Sequence, residues 1–169
     1  MGGRGSIAVG FLLLLGQPTA AQENAAKPVQ PAVNVWTITC ASTNDASKLE
    51  CQMIQNLSEN KTGQRILAVT VRKDASGKMG MVLTLPHGVY LPAGATYQVD
   101  EGEKSPAAIQ TADQNGSYAL VALTDPLVDQ MRRGKTLNVG METASRAPVT
   151  IPVTLAGFAV TYAKLAAID

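Results

Sequence analysis

A single histidine, His87, and two cysteines, Cys40 and Cys51, are the only imidazole and thiol donors in the chain. A structural zinc site takes about four such donors, so that class is excluded, and no other residue set calls for a metal or a cofactor. Aromatic residues make up only 4% of the sequence, which argues against a carbohydrate-binding cleft. Lys and Arg number 14 against 13 Asp and Glu, a net charge of +1. No basic field therefore exists to hold nucleic acid or an anionic membrane. Charged residues are 16% and hydrophobic residues 46% of the 169, the balance of a chain that buries a core rather than of a disordered polymer.

Long apolar runs are also scarce, and the one that exists is short. Arg4 precedes Ile7 to Gly16 (IAVGFLLLLG), and the small residues Ala20 and Ala21 stand ahead of Gln22. A positive start, a brief apolar stretch and a small-residue exit are the layout of a secretory signal peptide. A membrane anchor needs roughly 20 apolar residues, so residues 1–21 are expected to be cleaved on export. Residues 22–32, polar and interrupted by Pro28 and Pro31, read as a flexible tether. Residues 33–169 form one domain of ordinary size, with no further segment able to span a membrane.

Within that domain apolar residues alternate at a period of two, in short runs separated by turn residues. The runs are Trp36-Ile38-Cys40, Leu49-Cys51-Met53, Leu67-Val69-Val71, Met79-Met81-Leu83-Leu85, Tyr97-Val99, Leu137-Val139-Met141 and Val149-Ile151-Val153-Leu155. Asn115-Gly116 supplies a hairpin turn in the stretch from Ala107 to Leu123. This spacing predicts an all-β fold, a β-sandwich of short antiparallel strands. Two segments depart from it. Asp125 as N-cap and Pro126 as the first helical residue, with Leu127, Val128 and Met131 before a stop at Gly134, read as one short helix after the central hairpin. Phe158, Tyr162 and Leu165 share a face of a C-terminal helix, with a strand as the competing reading.

Few residues could carry chemistry. Cys40 and Cys51 lie on the apolar faces of their strands with a turn-rich link between them, and in an exported chain an even cysteine count points first to a disulfide. A reactive thiol or a redox pair is the alternative, but redox motifs space their cysteines by two residues. His87 sits between strands without a Gly-x-Ser-x-Gly elbow to serve and reads as an exposed turn residue. Asp100, Glu101 and Glu103 form an acidic cluster lacking the spacing of a calcium loop, as a solvated turn would. Arg132, Arg133 and Lys135 close the short helix, where cations complement its dipole. Trp36 shares a face with Ile38 and Cys40 and is expected to pack in the core beside the disulfide rather than to bind a partner. Sequons at Asn56, Asn60 and Asn115 matter only on a eukaryotic export route.

Taken in order, several motifs resemble the invasion-associated locus B family of exported bacterial proteins. They are Trp36-Thr-Ile-Thr-Cys40, Cys51-Gln-Met-Ile-Gln55 and Thr62-Gly-Gln-Arg-Ile-Leu67. Leu85-Pro-His-Gly-Val-Tyr-Leu-Pro-Ala-Gly94 is the most specific, followed by Val99-Asp-Glu-Gly102 and Pro152-Val-Thr-Leu-Ala-Gly-Phe158. The resemblance covers about residues 33–166. It departs at Ala112-Asp-Gln-Asn-Gly116-Ser117, where the family pattern has a second cysteine pair of the form Cys-x-x-x-Gly-Cys. The hairpin is expected to survive, because the Asn-Gly turn still sets its register.

The resemblance implies a non-enzymatic exported protein, linked to host-cell invasion or envelope function and acting through protein contacts. It brings no catalytic residues. The partner would be an envelope or host-cell component, and the location periplasmic or secreted, outer-membrane association included. The candidate contact surface combines the loop Pro86 to Gly94 with the turn Asp100 to Glu103. The alternative is a small periplasmic hydrolase using the carboxylates near Asp100, which requires a pocket lined by convergent ionisable groups.

Overall fold

The computed structural model describes residues 1–2, 36–42, 49–74 and 76–168. The expected cleavage site and tether lie outside the described residues, as do residues 43–48 of the link between the cysteines.

Among the described residues, ten strands form two antiparallel sheets. The larger contains β1 (Thr37–Ser42), β2 (Leu49–Ser58), β3 (Arg65–Lys73), β4 (Met79–Leu85), β7 (Ile109–Asp113) and β8 (Gly116–Ala122), in the order β1-β2-β3-β4-β8-β7. The smaller contains β5 (Ala95–Val99), β6 (Ser105–Ala107), β9 (Thr136–Glu142) and β10 (Pro148–Thr154), in the order β10-β9-β5-β6. The period-two runs place one face of each sheet inward. Met53, Leu57, Leu67, Val69, Val71, Met81, Leu83 and Leu85 of the larger sheet meet Ala95, Leu137, Val139, Ile151 and Val153 of the smaller. The fold is the expected all-β sandwich.

The sandwich is closed differently along its two sides. On one, β6 in the small sheet and β7 in the large one are separated by Ala108 alone, so the chain turns directly from sheet to sheet. Gly94 is required at this corner. Its φ is +69°, and a Cβ there would lie 2.8 Å from the Ala107 carbonyl oxygen. On the other side, helix α2 (Phe158–Ala166), which follows β10, packs on β1 and β2. Phe158 of α2 is fully buried and meets Trp36 edge-on, with ring centroids 5.3 Å apart. The Trp36 indole N–H donates to the Thr154 carbonyl at 3.0 Å, joining the two sheets. Edge strands β6 and β10 carry Pro106, Pro148 and Pro152, which have no N–H to offer a passing strand.

Helix α1 (Asp125–Arg133) follows the β7–β8 hairpin and buries Val128 and Met131. Its N-cap is Thr124, so Pro126 is the second helical residue rather than the first. Arg132 at its C-terminal end stacks over the Tyr162 ring at 5.7 Å, tying α1 to α2. The competing strand at 158–166 gives way to a helix because Phe158 and Leu165 are the buried positions there. Residues 105–107, which the alternation does not mark, form β6.

Candidate functional site

The disulfide between Cys40 and Cys51 forms. The two residues are directly paired across β1 and β2, with Cα atoms 4.0 Å apart. Both side chains point to the inner face, as alternation requires, but burial does not follow: Cys40 is exposed, Cys51 half-buried and Leu49 58% exposed. The β1–β2 hairpin extends past the end of the core, so inward-facing residues there have nothing to pack against. Trp36 is buried near the other end of β1, against α2 rather than beside the disulfide.

The two segments of the expected contact surface are not neighbours. Gly94 precedes β5 and Asp100 follows it, and five strand residues separate the two ends of the sandwich by roughly 20 Å at about 3.3 Å per residue.

At the Asp100 end, the carboxylate is engaged with the backbone. Its oxygens accept from the Thr136 N–H at 2.9 Å and the Lys135 N–H at 3.1 Å. Its own N–H donates to the Thr136 carbonyl at 2.8 Å, and its carbonyl accepts from the Asn138 side-chain amide. Asp100 holds a φ of +50°, a conformation Asp tolerates better than most residues. It pins the β5–β6 turn to the start of β9, so the acidic cluster is more than a solvated turn. Glu101 and Glu103 are exposed beside it.

At the Pro86 end, four connections meet: the turn 59–64, the loop 86–94, the hairpin tip 114–115 and the turn 143–147. Side chains clamp them to one another. Arg65 donates to the Asn115 carbonyl, and the His87 ring nitrogen Nε2 lies 3.1 Å from the Gln114 carbonyl. A shallow cavity of about 240 Å³ is lined here by Gln64, Arg65, Pro86, His87, Gln114 and Asn115. His87 is exposed, as the sequence predicts, and the cavity holds no carboxylate to pair with it in acid–base chemistry. Backbone bonds join the other two loops, from the Tyr90 N–H to the Glu142 carbonyl and from the Ala144 N–H to the Gly88 carbonyl. The Arg146 guanidinium lies over the Tyr90 ring at 4.1 Å and pairs with Glu142 at 2.6 Å.

The β7–β8 hairpin keeps its register without cysteines, pairing Asp113 with Gly116. The Asp113 carboxylate accepts from the Asn115 N–H at 2.7 Å and the Tyr118 hydroxyl at 2.8 Å. These bonds, the backbone one foremost, hold Asp113 below the usual carboxylate range, and the same carboxylate raises the Tyr118 phenol. Sequence reasoning named the loop that holds Tyr90 but not its contact with Arg146, and it gave this pair and Arg65 no role. Each meets its partner across a turn or between loops, which no strand periodicity records. Among the described residues no group of His, Cys, Asp and Glu is arranged to hold a metal, and no helix is long and apolar enough to cross a membrane.

The description of the Invasion associated locus B (IalB) protein family matches residues 36–166. Curated relatives include invasion protein B homologs from two strains of Brucella abortus, 2308 and biovar 1 strain 9-941. Each is 29% identical over 150 residues, spanning 88% of this chain and 86% of the relative. Among solved structures, the invasion associated protein B of Bartonella henselae is similar with a TM-score of 0.70 and 26% identity, over 80% of this chain and 95% of that one. The match runs from the buried Trp36 through the disulfide and both sheets to α2, and on that coverage the chain belongs to the invasion associated locus B family.

Proposed function

We propose that this protein is exported, stays in the periplasm or leaves the cell, with outer-membrane association included, and acts as a non-enzymatic contact module for an envelope or host-cell protein. Its relatives are named as invasion proteins, and a role in invasion or in the envelope is carried to this chain on that kinship. The disulfide suits an oxidising compartment.

The observation that carries the reading is the clamped Pro86 end. Arg65, His87, Tyr90 and Arg146 tie four exposed connections together, although none of the four is in the buried core. Loops fixed before binding lose less conformational entropy on association, and Arg and Tyr are enriched at protein interfaces. The Asp100 end offers less, since its central carboxylate already holds the backbone of β9. No observation favours the hydrolase reading.

Photo-crosslinking in intact cells tests the proposal. A reactive side chain at position 87 or 146 should give a discrete adduct, and one at position 101, at the opposite end, should give much less. Equal labelling from both ends, or catalytic turnover by the purified protein that is lost on substituting Asp100, would contradict it.

A further inference from the structure

Gln55 breaks the apolar pattern of the inner face. It is fully buried, and neither its side-chain oxygen nor its nitrogen has a hydrogen-bonding partner in the protein. On its own strand Met53 and Leu57 flank it on the same face, and Val69 of β3 is its paired residue. Thr37 pairs with Ile54, so Trp36 continues that register to the position opposite Gln55. The indole N–H is already given to Thr154. An amide among such neighbours loses its water and gains nothing in return.

The element covering this region is α2, which touches both β1 and β2. It is nine residues long and sits at the C-terminal end of the domain. Phe158 and Leu165 are its buried residues. Beyond these it packs on α1, where half-buried Tyr162 lies under the exposed Arg132 guanidinium, and the exposed Lys73 ammonium donates to the Ile168 carbonyl at 2.7 Å. Gly157, immediately before it, has a φ of +83° with open space where a Cβ would be.

We infer that α2 is a displaceable latch over β1 and β2, hinged at Gly157, and that Gln55 sets how readily it opens. Closing the latch strands the amide; opening it returns the amide to water. An apolar residue at position 55 has no such reason to favour the open state. The stranded group therefore raises the open population, by about tenfold for a typical buried unsatisfied amide. Opening also parts Phe158 from Trp36, the only tryptophan in the chain, which makes the motion visible by fluorescence.

Amide hydrogen exchange on the disulfide-intact protein tests this. In the wild type, α2 amides should exchange faster than those of β3 and β4, with a weaker urea dependence, because lifting α2 exposes Phe158, Leu165 and Trp36 but far less surface than global unfolding. In Gln55→Met, which keeps the side chain unbranched and similar in size, α2 exchange should slow about tenfold. Acrylamide quenching of Trp36 should fall with it. Two results would overturn the inference. One is α2 amides exchanging only together with β3 and β4 and with their urea dependence, which needs no variant to observe. The other is a Gln55→Met protein whose α2 exchange is unchanged or faster, as expected if ordered water satisfies the amide.

Discussion

Cys40 and Cys51 face one another across β1 and β2 at the point where the hairpin leaves the core. Further along the same two strands, Met53 and Leu57 are held by burial. Around the cysteines, Leu49, Glu50, Ala41 and Ser42 are exposed, and hydrophobic packing contributes little. The covalent bond joins the strands where packing no longer does.

Replacing both cysteines with Ser should lower stability by about 2–5 kcal/mol, the usual loss for a small exported domain. The cost comes mainly from freeing the unfolded chain, and the exposure of Cys40 means that little core packing is lost with it. Denaturant unfolding of the oxidised and variant proteins measures the difference. Equal midpoints would show that the bond restrains nothing that matters to stability.

The Asp113–Tyr118 bond should leave a titration signature. Asp113 is held below 3.8 in the folded protein, so its contribution is present above the unfolded value and lost as pH falls through the folded one. Tyr118 is raised above 10.0, so its contribution is complete below that value and lost as pH rises through the folded one. The hairpin tip is therefore best held between those limits. In Tyr118→Phe the Asp113 carboxyl should titrate closer to the ordinary carboxylate value by NMR. An unshifted curve would show that the hydroxyl does not matter to it.

Asp100→Ala should cost about 1–3 kcal/mol, the range for charge-assisted bonds to backbone N–H groups, and Asp100→Asn less, because an amide oxygen still accepts. Thermal unfolding separates the two. Matching losses would mean that charge rather than acceptance holds the turn.

Gly94→Ala should destabilise the domain by about 1–3 kcal/mol. It forces a side chain into a positive-φ position and against the Ala107 carbonyl. Gly77 is also at positive φ but has open space around it, so Gly77→Ala should cost less. The comparison isolates the close approach at the sheet-to-sheet corner.

Most of the sandwich was legible because alternation is a local signal. Met79–Leu85 and Asp125–Arg133 fall on the residues where pattern and turn chemistry put them. Leu49 and Val149 misled, since alternation states which way a side chain points and not whether an opposing layer reaches it. β6 was invisible because three residues around Pro106 carry no period. The clamped end was legible only as a loop motif. Arg65 and Asn115 are 50 residues apart in sequence, and their contact follows from the order of strands in the sheet. Asp100 was legible as an acidic turn, but its role depends on β9 lying beside β5, a pairing that spacing does not reveal.

Export underlies the rest, since the disulfide, the compartment and the class of partner all depend on it. Intact-mass spectrometry of the protein recovered from the cell envelope or medium, alkylated before and after reduction, reads cleavage and oxidation together. The predicted result is a chain beginning at or near Gln22 that takes up no alkyl groups until it is reduced, and then one each at Cys40 and Cys51. A full-length chain in the cytoplasm, alkylated at both cysteines without reduction, would contradict it.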